Sequence, residues 1–224
     1  VLPWREFTPA SLKKGKTVFL AEDISNYYSI IIRKNGRFVD NLLDFVRNGG
    51  SLIIVSSSAH PNARHLLLNI FRKKLGFSVS SRFSRNPASC GYGDPLQIKV
   101  NDFSPHPLAS NVNKMQMFVS QVFNLRSDSQ MKTVALTAPD DLNNPSKPVI
   151  IAGRLGKGRI VAATDLLWLQ PFRLDAEDNA QFLMNMVRWT LGKPVKKYSR
   201  SELAESIFIN SKLMDEIEKQ ESVK

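Results

Sequence analysis

The sequence predicts an α/β protein: a three-layer sandwich with a mainly parallel sheet between helices, extended by a C-terminal helical tail. Three observations carry this expectation. The stretch from Arg37 to Asn62 reads as helix, Asn48-Gly49-Gly50, buried strand, polar turn and helix, a unit of an open parallel sheet. Leu52-Ile53-Ile54-Val55 is a continuous apolar run, as expected of a strand buried on both faces. Asn179 to Leu191 repeats apolar residues at helical spacing behind an acidic Asp175 to Asp178, with Gly192 and Pro194 closing it.

In chain order, Val1-Leu2-Pro3-Trp4 reads as the tail of a strand. Thr8-Pro9 supplies an N-cap and a first-turn proline for a short helix to about Lys14, stopped by Gly15. Thr17 to Leu20 is a strand, with Glu22 and Asp23 just past its carboxyl end. For Ser25 to Asn35 two readings stand. Tyr27, Tyr28 and Ile30-Ile31-Ile32 favour an antiparallel strand by β-propensity; the short connection favours an irregular, partly helical loop over the pocket. Phe38, Leu42 and Phe45, with Val39, Leu43 and Val46 beside them, then form the buried face of a helix. Glycine at its end accepts the left-handed conformation a helix C-terminus needs.

Asn62 to Leu75 is a second amphipathic helix, and Phe77-Ser78-Val79 begins a short strand. Arg82 to Pro95, rich in Ser, Pro, Gly and Asn, is a loop. Leu96 to Val100 is a strand, Met115 to Leu125 a single alternating strand, and Met131 to Thr137 a short buried one. Asp140 to Lys147 is a polar turn. Val149 to Gly153 pairs with Arg159 to Ala163 as a hairpin through Gly156-Lys157-Gly158. From Lys196 the chain turns polar, with Leu203, Ile207, Leu213 and Ile217 at loose helical spacing. This tail is expected to dock on the body or on a partner, and it offers an oligomer contact. The division is thus an α/β domain over 1–192 and a charged helical extension over 193–224.

Length and composition bound the function. At 224 residues the chain suits one domain, and 42% apolar with 23% charged residues is globular, not disordered. No apolar run is long enough to cross a bilayer. The chain opens at Val1 and not at methionine, so it is read as a candidate piece of a larger or membrane-associated protein, with its compartment open. The single cysteine, Cys90, excludes an internal disulfide framework and a cysteine-built zinc site. A net charge of +11 invites a polyanion, yet the cations are spread out. Only Arg72-Lys73-Lys74 and Lys193 to Lys197 cluster locally, without interleaved aromatics, so nucleic acid is disfavoured as a partner though not excluded.

The series GGSLIIVSSS, SPHPLASNV, GKGRIVAATD and EDNAQFLMNMVRW, in this order, resembles the class I glutamine amidotransferase-like superfamily. Within it the likeness is to the non-catalytic branch typified by DUF4350-type and intraflagellar-transport-like domains, and it spans roughly Val1 to Gly192. The resemblance implies a flavodoxin-like sandwich, often set in a larger multidomain or membrane-associated protein. It also implies where catalysis would sit. Amidotransferases carry a cysteine on a sharp turn after the strand matching Leu52 to Val55; here that turn is Ser56-Ser57-Ser58, and Cys90 lies in another loop. They carry a histidine and a glutamate after the last strand; here no histidine follows His106. Glutamine hydrolysis is therefore not expected.

Ser58-Ala59-His60-Pro61-Asn62 is similar to the serine elbow of peptidase E-like hydrolases, with Ser57 or Ser58 as nucleophile and His60, His65 or His106 as base. Against this, the flanking glycines are missing and Pro61 removes a backbone donor. The plainer reading, and the favoured one, is that the serines cap the helix beginning near Asn62. Glu22, Asp23, Asp165 and Asp175 gather near strand ends, where carboxylates hold cations, do acid/base work or bind backbone amides; the last is favoured. Three histidines without H-x-x-x-H spacing give no metal expectation, and no cofactor is expected. Trp168, Phe172 and Trp4 either line a pocket mouth beside Asp165 and Arg173 or pack against the sheet edge.

Parallel strands converge their carboxyl ends on one rim, so the ligand-binding candidates are Asp23, Ser56, Ser57, Ser58, Asp165 and Trp168. Backbone N–H groups from the helix near Asn62, with Arg33 and Lys34, favour an anionic or hydroxyl-rich ligand there. Three functions follow: a non-catalytic binding or scaffolding module for a protein partner or small polar ligand, a serine hydrolase, and a polyanion-binding module.

Overall fold

The computed structural model describes residues 12, 15–22, 37–56, 66–85, 97–118 and 120–205. The chain runs β1 (Thr17–Glu22), α1 (Phe38–Arg47), β2 (Ser51–Ser56), α2 (Leu66–Leu75), β3 (Phe77–Val79), β4 (Gln97–Val100), β5 (Asp102–Phe103), β6 (Met115–Phe118), β7 (Phe123–Leu125), β8 (Met131–Leu136), β9 (Pro148–Leu155), β10 (Gly158–Ala163), α3 (Pro171–Leu174) and α4 (Asn179–Thr190). Both readings of Ser25 to Asn35 fall outside the described residues, as do Val1 to Trp4 and the part of the second helix before Leu66. Of the short helix expected to about Lys14, Leu12 is described and is helical.

Six strands form one mixed sheet in the order β1-β2-β10-β9-β8-β5. β2 lies parallel between β1 and β10, whereas β10–β9, β9–β8 and β8–β5 are antiparallel. The sheet is therefore parallel on one side only, which corrects the mainly parallel expectation. The reason is connection length. A parallel pair needs a crossover, which α1 provides between β1 and β2, whereas β9 reaches β10 through a two-residue turn that permits only antiparallel pairing.

β2 is buried at every position, because apolar groups cover both of its faces. Leu52 and Ile54 join Leu42, Leu43 and Val46 of α1 and Leu68, Phe71 and Leu75 of α2 in one apolar cluster. Ile53 and Val55 join Phe182, Met186 and Trp189 of α4 in the other. A strand buried on both sides has no need of a polar face, which is why its sequence does not alternate.

Met115 to Leu125 is not one strand. β6 pairs with β4 and β7 pairs with β3, in two separate ribbons. Between them Ser120 and Gln121 turn inward and are buried. The Thr164 hydroxyl donates to the Gln121 carbonyl at 2.7 Å and lies 2.8 Å from the Ser120 hydroxyl. The strand thus breaks where the Ser120 side chain and the Gln121 carbonyl find their partner, Thr164, just past the end of β10.

The polar side chains of α4 hold neighbouring backbone in place. Asn179 receives the Gln116 N–H and donates to the Gln116 and Arg173 carbonyls. Gln181 donates to the Lys196 carbonyl and accepts the Tyr198 N–H, so residues 195–198 lie along the helix. The acidic cap expected before α4 acts differently: Asp178 makes no capping bond to that helix. Its carboxylate instead accepts the N–H groups of Asn113 and Lys114 at 2.7 and 3.1 Å. After residue 199 the chain is helical to 205, opened by a reciprocal capping box. Ser199 Oγ accepts the Glu202 N–H, and the Glu202 carboxylate accepts the Ser199 N–H. Residues 206–224 lie outside the described set.

Candidate functional site

Strand direction locates the site: the carboxyl ends of β1, β2 and β10 lie together, at Glu22, Ser56 and Ala163. Ser56, the last residue of β2, is fully buried. Asp23, Ser57, Ser58, His60 and His65 lie outside the described residues, as do Arg33 and Lys34.

Asp165 is the best-defined polar group at this rim. It is fully buried two residues beyond β10, and its carboxylate accepts the Phe118 N–H at 2.5 Å and the Leu167 N–H at 2.7 Å. Burial pushes its carboxyl up to about 7, while the two N–H groups and the charge of Arg173 pull the other way. Desolvation wins because full burial takes the charged form out of bulk solvent. The Arg173 guanidinium sits 3.3 Å over the centroid of the Phe118 ring, a cation–π contact on the same strand end.

A carboxyl titrating near neutrality often marks acid/base chemistry. Here both oxygens are engaged by backbone and the group is fully enclosed, so it ties the end of β10 to the end of β6 and to the turn at Leu167–Leu169. The favoured reading of this carboxylate, a ligand for backbone amides, describes it. Trp168 is also corrected as a pocket-lining group. It is fully buried, edge-to-face with Phe182 at 5.8 Å between centroids, and shows no face to a ligand. Phe118, Ser120, Gln121 and Thr164 complete this knot, and no motif in the sequence signals them.

His106 orders its loop, as its two prolines imply: Nδ1 accepts the Leu108 N–H at 3.2 Å at the start of the turn Pro107–Ala109. The ring packs edge-on against Trp189 at 5.1 Å. Burial, and then the charge of Lys132, hold its pKa below the ordinary value. Beside it opens a groove of about 770 Å³ lined by Phe103, His106, Pro107, Ser110, Pro194 and Val195. A second hollow of about 480 Å³, with Lys16, Asn41 and Phe45 in its wall, lies at the amino ends of β1 and β2, the wrong end for a sheet-rim ligand. In its wall Asp44 accepts from Arg47, and the Asn48 amide donates to the Asp44 carbonyl. Among the described residues no His, Cys, Asp and Glu gather in threes to hold a metal, and no helix is long and apolar enough to cross a membrane.

One group of cations escaped the sequence reading. Arg154 and Arg159 sit directly opposite each other across the β9–β10 hairpin, and Lys132 of β8 opposes Ala152 on the same face. The signal was available. Once the turn at Gly156-Lys157 fixes the hairpin register, Arg154 must face Arg159.

No family model matches this chain, and no curated protein matches it in sequence. Solved structures do resemble it. The mmIFT52 N-terminal domain aligns with a TM-score of 0.62 at 12% identity, over 83% of this chain and 81% of that one. The cytoplasmic protein STM1381 from Salmonella typhimurium LT2 aligns with a TM-score of 0.56 at 14% identity, over 84% and 76% of the two chains. STM3548 from Salmonella typhimurium gives 0.55 at 12% identity, over 85% and 76%. At such identities the likeness is one of fold alone.

Proposed function

We propose that this chain is a non-catalytic binding or scaffolding module of the class I glutamine amidotransferase-like group, built as a flavodoxin-like three-layer sandwich, in the branch with DUF4350-type and intraflagellar-transport-like domains. The observation that carries this reading is Asp165. The carboxyl best placed to act at the rim is enclosed and saturated by the Phe118 and Leu167 N–H groups, so it serves structure. Two features support it further. The turn that would hold a nucleophilic cysteine reads Ser56-Ser57-Ser58, and the fold is like that of the mmIFT52 N-terminal domain. The module takes a protein partner or a small polar ligand.

The test sets this against its catalytic rivals. The protein is treated with a fluorophosphonate probe and, separately, assayed for ammonia release from glutamine. Neither labelling nor release is expected above background. Labelling lost in Ser57→Ala or Ser58→Ala would establish the serine hydrolase instead. Ammonia release lost in Cys90→Ala would establish a glutaminase.

A further inference from the structure

We propose that the face carrying Lys132, Arg154 and Arg159, together with the groove beside His106, binds an extended acidic peptide segment of a partner protein. The surface is distinct from the strand-end rim and does not depend on the reading given for it.

Registry puts the three cations on one face. Arg154 and Arg159 are direct cross-strand partners, so their Cα atoms lie about 5 Å apart. Lys132 is opposite Ala152 and hence diagonal to Arg154, about 7 Å away. Ala152 and Val161 of this face belong to the apolar cluster under α4, so the charges lie where that cover ends. Arg154 and Lys132 are exposed. Arg159 is half-buried, donates to the Trp189 carbonyl at the end of α4 and lies 5.3 Å from the Trp189 ring centroid. Like charges directly opposite each other destabilise a strand pair. Among the described residues no carboxylate forms an ion pair with any of the three. Burial, and then the charge of Arg154, lower the Arg159 pKa.

The spacing selects the ligand. Alternate side chains of an extended peptide project from one side about 6.7 Å apart, close to the separations across this strip. Carboxylates at alternate positions would therefore meet successive cations. Lys132 is near enough to His106 for its charge to act on that ring, and His106 lines the groove with Phe103, Pro107, Pro194 and Val195, which suits an apolar side chain farther along the same segment. A nucleic acid is the poorer fit. The cations span only about 10 Å, two strand spacings, and the aromatic beside them, Trp189, is 8% exposed and gives no stacking platform.

The experiment measures fluorescence anisotropy of a labelled peptide of alternating glutamate and serine, against the same peptide with glutamine for glutamate and against a short oligothymidylate. The whole chain is used at about 0.15 M salt. The acidic peptide should bind, and Arg154→Glu and Lys132→Glu should each weaken it about tenfold with an unchanged melting curve. Lys147→Glu, just before β9 at the opposite end of the sheet, should change affinity by less than about twofold. Should either charge reversal disturb folding, Arg154→Gln and Lys132→Gln replace it, with a loss of about threefold expected. No binding of the acidic peptide, equal binding by the variants and the wild type, or tighter binding of the oligothymidylate would each overturn the proposal.

Discussion

Gly158 meets Gly50 at a distance that no other residue could tolerate: a Cβ on Gly158 would lie 2.0 Å from the Gly50 carbonyl oxygen and 2.1 Å from that of Val46. The two glycines come from different motifs, the hairpin turn of β9–β10 and the stop of α1. Their contact seats the hairpin tip on the end of the helix, where the Lys157 N–H also donates to the Arg47 carbonyl at 3.0 Å. Both obstructing atoms are backbone, so a rotamer change cannot relieve the clash. Gly158→Ala is expected to lower stability by at least about 2 kcal/mol. Gly15→Ala, whose Cβ would lie 3.9 Å from the nearest atom, should stay within about 0.5 kcal/mol. Urea unfolding of the two variants checks the contrast, and equal effects would refute the close-approach argument.

Asp165 gives the protein a pH dependence of unusual sign for a carboxylate. Its carboxyl titrates near 3.8 when unfolded and at about 7 when folded. Between these values the folded state keeps a proton that the unfolded state has lost. The stabilisation from this group is thus fully present below the unfolded value and is lost as pH rises through the folded one. The loss is on the order of 4 kcal/mol. Asp165→Asn removes the titration, so the stability difference between wild type and variant should shift in the variant's favour from acid to neutral pH. Unfolding midpoints across that window check it. Parallel curves for the two proteins would show that the carboxyl titrates normally in the folded state.

Asn185 ties α4 to the loop that carries His106. Its amide donates to the Leu108 and Ser110 carbonyls at 3.0 and 2.7 Å and accepts from Gln181 at 2.9 Å. The residue is fully buried, so a similarly sized leucine takes the donor from the Leu108 and Ser110 carbonyls and one of its two acceptors from the Gln181 amide. Asn185→Leu is expected to cost about 2–3 kcal/mol and to speed amide exchange between His106 and Val112. An effect on global stability without local exchange would place the damage elsewhere.

Much of this fold is legible in the residues because it depends on short-range order. The period of Phe38 to Val46 gives α1, and Gly49, at φ +109, ends it as glycine should. The unbroken run Leu52 to Val55 gives β2, and Gly156, at φ +58, closes the β9–β10 turn. What such patterns leave open is which segments meet. Met115 to Leu125 has the composition of one strand, yet it divides where Ser120 finds Thr164. Asp178 has the position of a helix cap, yet its carboxylate reaches Asn113 and Lys114.

By itself the sequence determined the α/β class, the hairpin, and the helix bounded by Asp178 and Gly192. Only the tertiary structure decided the mixed strand directions, the enclosure of Asp165 and Trp168, and the meeting of Lys132, Arg154 and Arg159 on one face. The physical reason is range. Helical and strand periods, and the left-handed freedom of glycine, act over a few residues and leave their mark in adjacent letters. A buried carboxylate takes whichever N–H groups the packed chain brings to it, and for Asp165 one of them, that of Phe118, lies 47 positions away.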